Sequence, residues 1–129
     1  MKKIIKTNNK ILLLILFLFL ANSCSQKIQF KSNYSINRNE DSQSGIRGII
    51  KARENNQPLE YAFARIVSNE FKKDIRTDKE GNFNIDLTPG EYSVEFISVG
   101  FKQLFIKKVH VKSNERITFK VFLGSSIIY

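Results

Sequence analysis

From residue 45 onward, apolar and polar side chains alternate in short runs separated by turn residues, the period of half-buried β-strands. Residues 45–52 (GIRGIIKA) form the first run, and the polar stretch 54–58 follows it. In 61–67 the residues Ala62, Ala64 and Ile66 fall on one face, and 71–77 makes a weaker run. The turn DKEG at 78–81 leads into Phe83, Ile85 and Leu87. Thr88-Pro89-Gly90 is a turn signal, after which Tyr92, Val94 and Phe96 alternate toward Gly100. A run at 104–111 precedes the strict alternation of Ile117, Phe119, Val121 and Leu123. No stretch after 45 holds a helical period. Seven short strands at spacings of about 8–12 residues predict an all-β fold, a seven-stranded Greek-key β-sandwich whose strand phenylalanines pack the core.

The first 44 residues follow other patterns. Residues 11–20 (ILLLILFLFL) are unbroken apolar and preceded by Lys2, Lys3, Lys6 and Lys10. Ten residues of helix rise about 15 Å, roughly half a bilayer's hydrocarbon core, which suits a signal peptide better than a span. Ala21-Asn22-Ser23-Cys24 then resembles the lipobox of bacterial lipoproteins, with Asn22 where a small residue is preferred. Cys24 is the sole cysteine, so an intrachain disulfide is impossible and lipidation with cleavage before it is expected. Residues 24–44 are rich in Ser, Asn and Gln and carry few apolar side chains, which predicts a flexible tether of roughly 25 Å r.m.s. span. The expected organisation is a signal peptide at 1–23, the lipidated cysteine and tether at 24–44, and the sandwich at 45–129.

Charge narrows the partners. The formal net charge is +9, but four lysines leave with the signal and no acid does; 17 Lys and Arg against 12 Asp and Glu give +5. A moderately basic surface favours anionic headgroups or acidic partners, and a secreted domain has little call for nucleic acid. Lys102, Lys107, Lys108 and Lys112, with Arg116 and Lys120, crowd the last third and form a basic face if the last two strands pair. These four lysines are the candidate partner contacts, together with the apolar tail Ile127, Ile128 and Tyr129, which could add to a sheet edge.

Catalytic chemistry finds few residues. His110 is the one histidine, whereas metallopeptidase chemistry needs several ligands and a Ser or Cys nucleophile needs an oriented base. Asp78, Glu80 and Asp86 surround Gly81 without the spacing of a calcium loop. No catalytic residue, metal or cofactor is expected.

One ordered set of turn motifs is more specific. Gly48, Pro58-Leu59, Ala62, Thr77-Asp78, Gly81-Asn82-Phe83, Pro89-Gly90-Glu91-Tyr92 and Val99-Gly100-Phe101-Lys102 follow one another between residues 45 and 123. The set resembles the carboxypeptidase regulatory-like domain, a transthyretin-like (prealbumin-like) sandwich. In that setting Gly81 and Gly90 are expected to supply positive φ. The resemblance implies an accessory domain that accompanies enzymes without doing catalysis. Similar domains stand at the N-terminus of TonB-dependent outer-membrane receptors, and this chain resembles the stand-alone lipoprotein form. The function it implies is a non-enzymatic outer-membrane lipoprotein whose sandwich is a protein-interaction or accessory module of an envelope complex. The expected partners are the membrane, through the lipid on Cys24, and an envelope protein such as a TonB-dependent receptor system. A carbohydrate-binding module is the alternative, weakened by the absence of Trp, and a structural or adhesin-like subunit is another. Related collagen-adhesin domains carry a Lys–Asn or Lys–Asp isopeptide; Lys51 and Glu95 occupy comparable places, but neither Asn nor Asp follows Asn114, so no staple is expected. Ser25 after the cysteine, in place of Asp, implies the outer membrane, and SQKIQF lacks the acidic cluster of surface-exported lipoproteins, which implies its periplasmic face.

Overall fold

The computed structural model describes residues 30–126; the expected signal peptide, Cys24 and the tail Ile127, Ile128 and Tyr129 lie outside them. Eight strands follow in chain order: β1 (Asn33–Glu40), β2 (Gly45–Ala52), β3 (Phe63–Ser68), β4 (Phe71–Arg76), β5 (Asn82–Asp86), β6 (Gly90–Ile97), β7 (Leu104–Val111) and β8 (Glu115–Leu123). They form two four-stranded sheets, sheet A in the order β1-β8-β2-β5 and sheet B in the order β4-β3-β6-β7. All pairings are antiparallel except β2 with β8, which run parallel from Gly45↔Arg116 to Ala52↔Leu123. A parallel pair needs a long crossover, and here the whole of sheet B lies on it.

The seven runs all become strands; six offer a row of apolar side chains at every second position to the space between the sheets, while β4, exposed but for half-buried Ile75, is held by its pairing with β3. Ile46, Ile50, Ile66, Val94, Phe96, Ile117, Phe119, Val121 and Leu123 have no exposed surface. Phe96 of sheet B sits between Phe83 and Phe119 of sheet A, with ring centroids 5.8 and 5.5 Å away in tilted arrangements. Each such ring contributes about 2–3 kcal/mol by burial alone.

Among the described residues the strand count is eight, not seven. The additional strand, β1, lies within residues 24–44, where composition predicts a tether. All eight of its residues are exposed, so burial does not hold it. It forms because it satisfies the free backbone edge of β8, in register from Asn33↔Phe122 to Glu40↔Glu115. Two further expectations are corrected. Positive φ falls at Gly81 and Gly100 but not at Gly90, which simply begins β6. Phe63, Phe71 and Phe105 stand outside the buried core.

The strand directions divide the turns between two poles. At the lead-in pole lie Phe30, the β2–β3, β4–β5 and β6–β7 connections, and the end of β8, tied across the sheets by Lys102 N to Gly124 O and Ser126 N to Gly100 O. At the opposite pole lie the turns 41–44, 69–70, 87–89 and 112–114, tied by Asp41 N to Asn114 O and Leu87 N to Ser44 O.

Candidate interaction surfaces

The outer faces of the two sheets differ. On sheet A they carry Asn33, Ser35, Asn37 and Asn39 from β1, Thr118 and Lys120 from β8, Arg47 from β2, and Asn82 and Asn84 from β5, with half-buried Ile49 and Phe122 as the apolar exceptions. Arg47 Nε donates to Thr118 Oγ1 at 3.0 Å within this face.

Sheet B turns outward the residues that its core-facing rows leave over. Because Ala64 and Ile66 point inward, Phe63, Arg65 and Val67 point out, and the same phase puts Glu95 and Ile97 outward on β6. Registry then builds cross-strand rows: Asp74–Arg65–Glu95–Phe105, and beside it Arg76–Phe63–Ile97. The Arg65–Asp74 pair is bidentate, at 2.8 and 3.2 Å. The Arg65 guanidinium holds the Asp74 carboxyl below its ordinary range, and the hydrogen bonds that Arg65 donates to Asp74 raise Arg65 in turn. Both groups are open to solvent, so the pair orders the centre of the face more than it stabilises the fold. Arg76 lies 5.4 Å from the ring centroids of both Tyr61 and Phe63, and Lys107 lies 5.9 Å from that of Phe105. With Tyr61 62% and Phe105 53% exposed, this face combines solvated aromatic surface with cations placed over it.

The residues singled out from sequence do not gather into one site. β7 and β8 belong to different sheets, so the single basic face does not form. Lys102 is half-buried at the lead-in pole, its ammonium donating to Phe30 O at 3.2 Å. Lys107 lies over Phe105 on the sheet B flank, and Lys108 takes φ 58° where the β6–β7 register slips. Lys112 is exposed in the opposite-pole turn. Lys120 points out from the middle of sheet A.

Arg116 is buried at 5% exposure and is a structural clamp. Its five N–H groups meet five acceptors: Nε gives to Asp41, one terminal nitrogen to Asn84 Oδ1 and Ile85 O, the other to Gln43 O and Asp86. The backbone N–H of Gln43, aided by the Arg116 charge and partly opposed by desolvation, holds the Asp41 carboxyl below its usual range.

His110 is exposed on β7, and its carbonyl accepts from Arg38 at 2.8 Å. Asp78 caps its own turn by accepting from the N–H groups of Glu80 and Asn82, while Asp86 serves Arg116. Among the described residues no three His, Cys, Asp or Glu side chains are grouped to hold a metal ion, and no helix is long and apolar enough to cross a membrane. Lys51 lies between inward-facing Ile50 and Ala52 on sheet A, and Glu95 between inward-facing Val94 and Phe96 on sheet B. They project from opposite outer faces, so Glu95 cannot serve a bond made by Lys51.

The missed surface residues were readable in part. Placing Ala62, Ala64 and Ile66 on one face already sends Phe63 and Arg65 to the other; which outer face stays open depends on strand pairing across the chain.

Comparison with known proteins adds three findings. The family profile of the carboxypeptidase regulatory-like domain matches residues 45–123. No curated protein matches the sequence. Among solved structures, a candidate carbohydrate-binding protein from Bacteroides uniformis superposes with a TM-score of 0.50 at 14% identity, over 61% of this chain and 40% of that one. A chain of a type II cohesin–X–dockerin complex from Acetivibrio cellulolyticus gives a TM-score of 0.45 at 21% identity, over 58% of this chain and 51% of that one. The chain thus spans two fifths to about half the length of these structures, and the first likeness is one of fold.

Proposed function

The chain belongs to the carboxypeptidase regulatory-like domain family, and from that premise we propose that it is a non-enzymatic interaction module whose outer sheet B face binds a protein of the bacterial envelope. One observation carries the reading. Sheet B exposes Phe105 and the half-open Phe63 and Ile97 around an ordered Arg65–Asp74 pair, with Tyr61 at its edge, whereas sheet A presents mostly amides, hydroxyls and lysine. Aromatic side chains and arginine are what protein interfaces enrich, and an ordered charge pair at the centre fixes register on the partner.

The module is held at the membrane by a lipid on Cys24, on the periplasmic side of the outer membrane, and a TonB-dependent receptor system is the partner class the family suggests. Ser126 is bonded to Gly100 O at the lead-in pole, and Ile127, Ile128 and Tyr129, which follow it in the sequence, offer a second contact by strand addition.

A photo-crosslinking side chain placed at Phe105 or Tyr61 in living cells should capture one envelope protein, and the same group at Ser35 or Asn37 should not. Equal capture from both faces would remove sheet B as the binding surface. Retention of the protein on a polysaccharide, lost on Tyr61→Ala, would instead favour the glycan-binding reading.

A further inference from the structure

Residues 30–32, where the described chain begins, are fastened to the lead-in pole. Lys102 Nζ donates to Phe30 O at 3.2 Å, and Arg53 donates to Lys31 O at 2.5 Å. Ser32 Oγ donates to Lys102 O at 2.8 Å and accepts from Gly124 N at 3.1 Å. The crossing is so close that a Cβ on Gly124 would stand 2.0 Å from Phe30 O. This fastening shortens the leash between Cys24 and the folded body. Only six peptide units join Cys24 to Phe30, a span of at most about 21 Å however they are arranged.

The body is longer than that. The eight residue pairs of β1 and β8 cover roughly 25 Å, and the turn at 41–44 adds to it. Turning the opposite pole to the bilayer would carry Phe30 beyond the reach of the leash. The lead-in pole is also suited to a headgroup layer. Val99 forms the apex of the β6–β7 turn at 98% exposure, next to Gly100 at φ 83°. The cationic groups of Arg53 and Lys102 sit within hydrogen-bond distance of the lead-in backbone at Lys31 and Phe30, and Lys31 itself is exposed. The neighbouring Glu54 carboxylate is occupied by Ser125 N at 3.0 Å. The connections at the lead-in pole also carry exposed Glu60, Asp78 and Glu80, and the opposite pole holds Glu40, Asp41 and Asp86 with Lys112 and the buried Arg116, so the short leash and the apex Val99, not net charge, single out the lead-in pole.

We propose that the lead-in pole lies against the lipid headgroups, with Val99 touching the bilayer surface and Lys31, Arg53 and Lys102 facing anionic lipid. This rests on the lipid attachment at Cys24 proposed above. The consequence is a fixed polarity: the opposite pole points into the aqueous space and the sheet faces stand upright, open to a partner. A free 21-residue tether would fix none of this.

The test uses the full lipidated protein in vesicles of phosphatidylethanolamine and phosphatidylglycerol, labelled with an environment-sensitive fluorophore at Val99→Cys or, at the opposite pole, Ser113→Cys. Both positions are exposed, so labelling spares the fold. Mass spectrometry of the same sample reports the lipid on Cys24 separately. The expected result is a blue-shifted emission and several-fold stronger quenching by headgroup-attached quenchers at Val99→Cys than at Ser113→Cys. Inserting a long Gly-Ser stretch between Cys24 and Phe30 should shrink that difference. Equal quenching at both positions with the lipid present would overturn the orientation and leave the anchor standing. An N-terminal mass without lipid would overturn the anchor, and the orientation with it.

Discussion

Replacing Arg116 by Met keeps most of the side chain's stem volume and removes all five N–H donors. Two of the five acceptors are carboxylates open to solvent, where water and salt take over much of what the guanidinium gave. The loss is carried by Gln43 O, Asn84 Oδ1 and Ile85 O, each worth about 0.5–1.5 kcal/mol when bonded. The sum, about 2–3 kcal/mol, falls below the usual range for breaking a buried pair, because the acceptors left behind lie at a pole that water can reach. Arg116→Lys keeps the charge but offers three donors from one nitrogen in place of a planar fork, so it should recover less than half of the loss. Urea denaturation followed by far-UV circular dichroism measures this. With a slope near 1–1.5 kcal/mol/M for a domain of this size, the midpoint of Arg116→Met should fall by roughly 2 M. The pH dependence is a second readout. The Asp41 carboxyl is lowered in the folded state from an ordinary 3.8, so its contribution is present above that value and is lost as pH falls below it. In Arg116→Met that acid loss should be smaller, since one of the groups lowering Asp41 is gone. A midpoint shift corresponding to under about 1 kcal/mol at unchanged slope would refute the clamp as a structural device.

Other consequences are as direct. Phe96→Ala empties the centre of the three-ring stack between the sheets and should cost about 3–5 kcal/mol in the same denaturation assay. Deleting 30–42 removes β1 and bares the edge of β8, so size-exclusion chromatography should show concentration-dependent association that the intact protein lacks. A delipidated sample should have the intact mass of its sequence; a deficit of one ammonia or one water, abolished by Lys51→Ala, would contradict the placement of Lys51 and Glu95 on opposite faces.

The strands of the family domain were legible because all but β4 carry their own signal, an apolar row at every second position, and β4 was read only as a weaker run. β1 has no such row strong enough to read: Tyr34 and Ile36 share the inward phase with Arg38, and all three stay at least partly exposed. It is a strand because β8 needs a backbone partner, a fact stored some 80 residues away. Arg116 was misread for the same reason. In the sequence it joins a run of cations, yet Asp41, which it binds, lies 75 residues earlier. The sheet B face was half legible, since alternation sends Phe63 and Arg65 outward together, but only the pairing of β3 with β4 and β6 brings Asp74 and Glu95 to Arg65.

That the described chain both begins and ends at one pole has a mechanical meaning. Tension entering at Phe30 and leaving at Ser126 pulls β1 sideways off β8, opening the ladder from Asn33↔Phe122 one pair at a time, as a zipper opens at low force. Once the zipper has run to Glu40, the next residues drawn away are Asp41 and Gln43, and the Arg116 clamp loses two of its acceptors with them.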